Sequence, residues 1–265
     1  MRPAVFPCLA VVAAILLVLG LAPSLVLSQE PTELLISAGA SLKDALSDIQ
    51  TLYQQEQPQV KLTYNFGASG SLKQQIEQGA PVDVFISAAP QPLADLEAKG
   101  LILENTRHNL LSNRLVVVVP TQATGGRDPI TTLADLQRPD IERIAMGEPN
   151  SVPAGQYAEQ AIASYQLTEA LKPKLIYAKD VRQVLSYVET GNVDVGFVYI
   201  TDAKVSPQVR VAFELPPESH SAIVYPMAVI KTSEHPTLAQ AFVEFLLEDA
   251  EVQAIFQKYG FRAPD

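Results

Sequence analysis

The feature that most constrains the fold is a regular alternation of short strand-like and helix-like stretches, which begins at Glu33 and runs almost to the C terminus. Glu33–Ala38 is a β-type run, and Leu42, Ala45, Leu46, Ile49 and Leu52 follow it at helical spacing. Lys61–Phe66 alternates, Ser71–Gln78 reads as a helix, Val82–Ser87 as a strand, and Gln91–Lys99 as a helix closed by Gly100. Leu115–Val119 is a continuous apolar run of the kind buried on both faces, stopped by Pro120. Thr121–Pro129 is polar and reads as a loop, after which the pattern restarts. Arg143–Met146, Lys174–Ala178 and Val193–Ile200 read as strands, with helices at Ala154–Tyr165 and along the stripe Val181, Val184, Leu185 and Val188. Val209–Phe213 and Ile223–Ile230 are two more strands, and the chain ends in helical stretches around Leu238–Leu246 and Val252–Tyr259. Repeated strand–helix units predict an α/β protein whose sheets are mostly parallel and flanked by helices. There are more units than one small sheet needs, so two lobes are expected.

Composition narrows the function. Of 265 residues, 48% are hydrophobic and 18% charged, which excludes a disordered chain. The 29 Asp and Glu outnumber the 19 Lys and Arg, so a nucleic-acid partner, which needs a basic face, is not expected. Cys8 is the single cysteine, and His108, His220 and His235 lack ligand spacing, so neither a disulfide framework nor a metal cluster is foreseen. Residues 1–28 hold one basic residue, Arg2, an apolar run from Leu9 to Ala22, and small residues near Ser24 and Ser28. That is the pattern of a secretory signal peptide cleaved after Ser28 or Ser24, with an uncleaved membrane anchor as the alternative. An exported, cysteine-free mature chain must then be stabilised by its core alone.

In sheets of this kind ligands sit beyond the carboxyl ends of strands, beside helix N-termini. Four turns have suitable chemistry: Gly39-Ala40-Ser41, Gly67-Ala68-Ser69-Gly70-Ser71, Val152-Pro153-Ala154-Gly155 and Lys179-Asp180-Val181-Arg182. Each offers free backbone N–H groups at the positive end of a helix, and two add hydroxyls. Glycine in such turns allows close backbone approach to a bound group. Taken singly, each turn reads first as an ordinary helix cap. Tyr199, at the end of a strand, is either a core ring or a hydroxyl donor.

The same segments resemble the periplasmic molybdate-binding proteins of molybdate ABC transporters. The resemblance rests on Ala40-Ser41-Leu42, Phe66-Gly67-Ala68-Ser69, the run from Gly79 to Ala88, Val152-Pro153-Ala154-Gly155-Gln156-Tyr157-Ala158, Asp180-Val181-Arg182, the run from Gly196 to Ala203, Tyr225-Pro226-Met227-Ala228-Val229 and Lys258-Tyr259-Gly260-Phe261. It implies a two-lobed binding-protein fold with the ligand cleft between the lobes. Residues 29–112 would form the first part of one lobe, 113–223 the second lobe, and 224–265 the return to the first. It further implies a tetrahedral oxyanion held by the hydroxyls of Ser41 and Ser69, amides at Ala154 and Val181, and the Tyr199 hydroxyl. No cofactor is implied and no metal is directly coordinated. The ligand the resemblance implies is molybdate, with tungstate expected to fit nearly as well, and the implied partner is the membrane permease of an ABC transporter. A monomer outside the cytoplasm is expected, and no enzyme. Ala89 and Ala222 stand where relatives often carry Asp and Pro.

Donors without a fixed positive charge suit a ligand that must be bound and then released. They also disfavour a protonated anion, whose O–H would face another donor. A sulfate- or phosphate-binding relative is the alternative within the class. An exported hydrolase would need a base near Ser41 or Ser69, and no nucleophile elbow is present. An acid pair such as Asp83 and Asp202 could be proposed for glycosidase chemistry, but carboxylates at strand and helix ends are far more often caps.

Overall fold

A computed structural model describes residues 31–122 and 129–264; residues 1–28, expected to be a signal peptide, and most of the Thr121–Pro129 loop lie outside them. The strands are β1 Thr32–Gly39, β2 Val60–Gly67, β3 Val84–Ile86, β4 His108–Ser112, β5 Leu115–Pro120, β6 Ile144–Gly147, β7 Leu175–Ala178, β8 Val195–Tyr199, β9 Val209–Glu214 and β10 Val224–Val229. The helices are α1 Lys43–Glu56, α2 Ser69–Glu77, α3 Pro90–Ala98, α4 Pro153–Ser164, α5 Thr168–Leu171, α6 Val181–Glu189, α7 Ile200–Lys204, α8 Pro236–Glu248 and α9 Ala250–Tyr259.

Two five-stranded sheets result, ordered β2-β1-β3-β10-β4 and β7-β6-β8-β5-β9. In the first, β1 runs parallel to β2 and β3, while β10 is antiparallel to both its neighbours. In the second, β6 runs parallel to β7 and β8, while β5 is antiparallel to both of its own. Four strands of each sheet therefore share a direction and one is reversed. The reversed strands are those by which the chain enters a sheet from the other: β5 follows β4 through Asn113 and Arg114, and β10 follows β9 through residues 215–223. A chain that arrives from a neighbouring lobe has no crossover helix to turn it round, so it enters antiparallel.

The sequence pattern explains the central strands. Leu34, Ile36 and Ala38 of β1 are fully buried between β2 and β3. Leu115–Val118 of β5 are buried on both faces, as a continuous apolar run requires. Helix α6 lays Val184 and Val188 on β8 at Gly196, where an added Cβ would come 2.6 Å from a Val188 methyl. The strand β4 has no clear sequence signature: His108-Asn109-Leu110-Leu111-Ser112 mixes exposed polar and buried apolar residues, and only its pairing with β10 makes it a strand. Helix α2 begins at Ser69, two residues before the expected start, because Ala68 already serves as its N-cap.

Candidate functional site

Register brings the first two turns together. Gly39 at the end of β1 is paired with Gly67 at the end of β2, and each is followed by Ala-Ser. The same tripeptide, Gly-Ala-Ser, thus leaves two adjacent parallel strands at the same level. Ser41 sits in a 3-10 turn that continues into α1, and Ser69 is the first residue of α2. Neither hydroxyl caps its own helix, so the ordinary-cap reading fails for both.

Both hydroxyls are instead wired from behind. Ser69 Oγ accepts a bond from the Ala88 N–H at 2.9 Å. Ser41 Oγ lies 2.9 Å from the Tyr225 hydroxyl, which itself accepts from Asn113 Nδ2 at 3.1 Å. A hydroxyl carries one proton. Either hydroxyl of the Tyr225–Ser41 pair can be the donor; in the arrangement where Asn113 donates to Tyr225 and Tyr225 donates to Ser41, the Ser41 proton is left to point forward. The Ser69 proton is left free in the same way. Burial raises the Tyr225 phenol well above its ordinary range, which keeps that proton in the chain.

The second sheet supplies backbone. Gly147 ends β6, in register with Ala178 at the end of β7. Ala154 is in the first turn of α4 after Pro153, and Val181 opens α6, where N–H groups have no partner within the helix. Asp180 is the actual cap of α6, accepting from the Gln183 N–H at 2.9 Å, and this leaves the Val181 amide uncovered. Gly155, whose turn suggested a close approach to a bound group, is packed against β6 instead. A Cβ there would lie 2.1 Å from the Gly147 carbonyl, so glycine lets α4 press onto β6 and sets where its N-terminus points. Tyr199 ends β8, is buried, and its hydroxyl donates a long bond, 3.5 Å, to the Ala88 carbonyl, which a ligand oxygen would have to replace. Burial pushes its phenol well above the ordinary value, so it stays protonated and able to donate.

Ser41, Ser69, Ala154, Val181 and Tyr199 line one cavity, together with residues such as Gly39, Ala88 and Pro153. All twelve lining residues are uncharged. The cavity is small, about 10 Å³. The cavity is closed by bonds between the two sheets' layers: the Gly70 N–H donates to the Ser151 carbonyl at 2.9 Å, and Arg182 pairs with Asp44. Ala88, Tyr225 and Asn113 were not singled out from sequence as site residues. Ala88 lies just beyond the carboxyl end of β3, so the rule about strand carboxyl ends reaches it; the Tyr225–Asn113 relay had no local signal.

Nothing here forms a hydrolytic centre. Asp83 accepts from the Leu35 N–H and the Ser233 hydroxyl, and Asp202 from the Tyr199 N–H, so the two carboxylates serve separate structural contacts. No group of three or more metal-binding side chains occurs among the described residues. Ala89 is the N-cap of α3 and makes no side-chain cap bond.

Two mixed sheets that close over an uncharged, donor-lined cavity define a two-lobed solute-binding protein of the periplasmic type. Residues 34–262 match the bacterial extracellular solute-binding protein family, and the chain belongs to it. It is 43% identical over 89% of its length to YvgL of Bacillus subtilis (strain 168), provisionally named an ABC transporter substrate-binding lipoprotein, of which 88% is covered. It is 33% identical over 95% of its length to the molybdate-binding protein ModA of Haemophilus influenzae, of which 97% is covered. Among solved structures, the periplasmic molybdate-binding protein of Azotobacter vinelandii superposes with a TM-score of 0.78 at 21% identity, covering 88% of this chain and all of that one. The family consists of binding proteins, not enzymes.

Proposed function

We propose that this chain captures molybdate, and tungstate nearly as well, outside the cytoplasm and delivers it to the permease of an ABC transporter. The observation that supports the reading is that Ser41, Ser69, Ala154, Val181 and Tyr199 line one small uncharged cavity; in this reading the three hydroxyls and the amides of Ala154 and Val181 are the donors. Each charge-assisted bond contributes about 1.5–3 kcal/mol net. A Kd of 1 μM corresponds to about 8.2 kcal/mol, which lies within the roughly 7.5–15 kcal/mol that five such bonds contribute before the cost of association. The wiring behind Ser41 and Ser69 leaves them as donors, which suits a fully deprotonated tetrahedral dianion and penalises a protonated phosphate.

In this reading residues 1–28 are the export signal. The lobes divide at 112/113 and 223/224, beside the two segments by which the chain passes between the sheets. The protein acts as a monomer, without a cofactor.

Thermal unfolding of residues 29–265 with equal concentrations of molybdate, tungstate, sulfate and phosphate tests this. Ligand at about a thousandfold over Kd adds roughly 4.1 kcal/mol, which for a chain of this size raises Tm by about 8–16 °C. Shifts of that size with molybdate and tungstate alone are expected. A shift with sulfate or phosphate instead would reassign the ligand, and no shift with any of the four would overturn the oxyanion reading.

A further inference from the structure

Arg182 follows Val181 in the first turn of α6, yet it does not line the cavity. Its guanidinium lies behind the site and joins both sheets' layers. Nε lies 2.7 Å from Asp202 Oδ1, an ion contact too far off line for a hydrogen bond. Nη2 pairs with Asp44, in the first turn of α1 on the opposite side of the cleft, and lies 3.5 Å from the Ser41 carbonyl. Asp202 is fully buried, and its other oxygen accepts the Tyr199 N–H at 3.2 Å. One cation therefore touches the backbone of Ser41 directly, reaches Tyr199 through Asp202, and is bonded through the chain to Val181. Three of the five donors are tied to it.

We propose that Arg182 is a positioning residue for anion capture: its contact with Asp44 forms as the cleft closes and seats Ser41, Val181 and Tyr199 on the ligand together. The proposal rests on the anion-binding reading above.

The electrostatics support a role in closure. Burial raises the Asp202 carboxyl to about 6 although Arg182 beside it pulls the other way, so the guanidinium is the charge that keeps this carboxylate ionised at neutral pH. Opposite it, Asp44 would meet an incoming dianion as a second negative charge. Once the guanidinium spans both carboxylates that repulsion is reduced. The planar fork of arginine can face two carboxylates at once, which a lysine ammonium on its flexible stem does less well. Affinity scales with the fraction of molecules in the binding-competent form, so a contact made only on closure is read out in Kd.

The test is a double-mutant cycle on Asp44→Asn and Arg182→Gln, with Kd and koff for molybdate and the ligand-free Tm measured for each variant. Asp44→Asn is expected to weaken binding about 5–30-fold, mainly through faster release. In the Arg182→Gln background the same change should have almost no effect. This coupling should be present in Kd and absent from the ligand-free Tm, a pattern that a merely structural ion pair would not produce. Asp44→Glu, which keeps the charge, should bind within about threefold of wild type. If Arg182→Gln does not fold, the Asn and Glu variants of Asp44 decide alone. Unchanged affinity in Asp44→Asn, or equal effects of Asn and Glu, would overturn the proposal. Failure of the wild type to bind any oxyanion would instead overturn the reading on which it rests, so the two failures are distinguishable.

Discussion

The two sides of the cleft solve one problem with different chemistry. The first sheet presents side chains, Ser41 and Ser69, on two copies of Gly-Ala-Ser set level by the pairing of Gly39 with Gly67. The second presents backbone, the first-turn amides of α4 and α6, with the Tyr199 hydroxyl beside them. A hydroxyl is ambivalent and must be told which way to donate, so each serine has a donor behind it: the Ala88 N–H for Ser69, and the Asn113–Tyr225 relay for Ser41. An amide has a single direction and needs only a helix aimed correctly. On that side the aiming is done by glycines, where α4 rests on Gly147 through Gly155 and α6 rests on Gly196. The first side is therefore vulnerable at its functional side chains, and the second at packing positions away from the ligand.

The largest expected effect comes from preventing the two sides from meeting. A Cβ on Gly70 would lie 2.7 Å from the Ser151 carbonyl oxygen and 2.9 Å from its Cα, and backbone atoms cannot swing aside as a side-chain tip can. Gly70→Ala should therefore weaken molybdate binding by at least about 100-fold, or some 2.7 kcal/mol. Its ligand-free Tm should stay equal or rise, because alanine within α2 is favoured over glycine by about 0.4–1 kcal/mol. Titration calorimetry with parallel melting curves reads both. Affinity retained in Gly70→Ala would mean that the cleft binds without closing this contact.

Next come the side-chain donors themselves. Ser69→Ala removes one forward-pointing donor and leaves the Ala88 N–H facing a methyl group. The expected loss is about 1–3 kcal/mol, or roughly 5–150-fold in Kd, with the fold intact by circular dichroism. Ser41→Ala should cost a similar amount. Unchanged binding in either would make that serine packing rather than donor.

How much of this was legible follows the same division. The strand–helix alternation gave most elements, because burial on one face or two leaves period 2, period 3.6 or continuous apolar runs in the sequence. β4 was missed, since His108 and Asn109 are exposed and its identity comes from pairing with β10 rather than from any local pattern. The serine turns were visible as residue types. Their convergence was not, because it depends on the Gly39–Gly67 register and on the closing of one sheet's layer against the other. The amide donors at Ala154 and Val181 were reached only as helix starts, and their assignment as donors came from resemblance to a known family; a backbone N–H leaves no trace in the choice of side chain. The same holds for Asn113 and Tyr225, which act on Ser41 from 72 and 184 positions away in the chain.

That last point gives the smallest predicted effect and the sharpest use of the comparison. If the Val181 contribution is its amide, shortening the side chain should leave the donor in place, since the cap that exposes it belongs to Asp180. Val181→Ala keeps the N–H, keeps helical φ and improves helix propensity by a few tenths of a kcal/mol at most. Its cost falls on packing, because Val181 is buried against the core. Removing two methyl carbons from a buried valine should lower the ligand-free Tm by an amount equivalent to about 1–2 kcal/mol. Molybdate Kd should then move by less than about threefold. A fall in affinity as large as that of Ser69→Ala would mean that the valine side chain, rather than its backbone, shapes the site, and the contrast between a side-chain half and a backbone half of the cleft would be lost. Stability that falls while affinity holds would instead separate the two halves by experiment: on one side the residue is the donor, and on the other it only carries it.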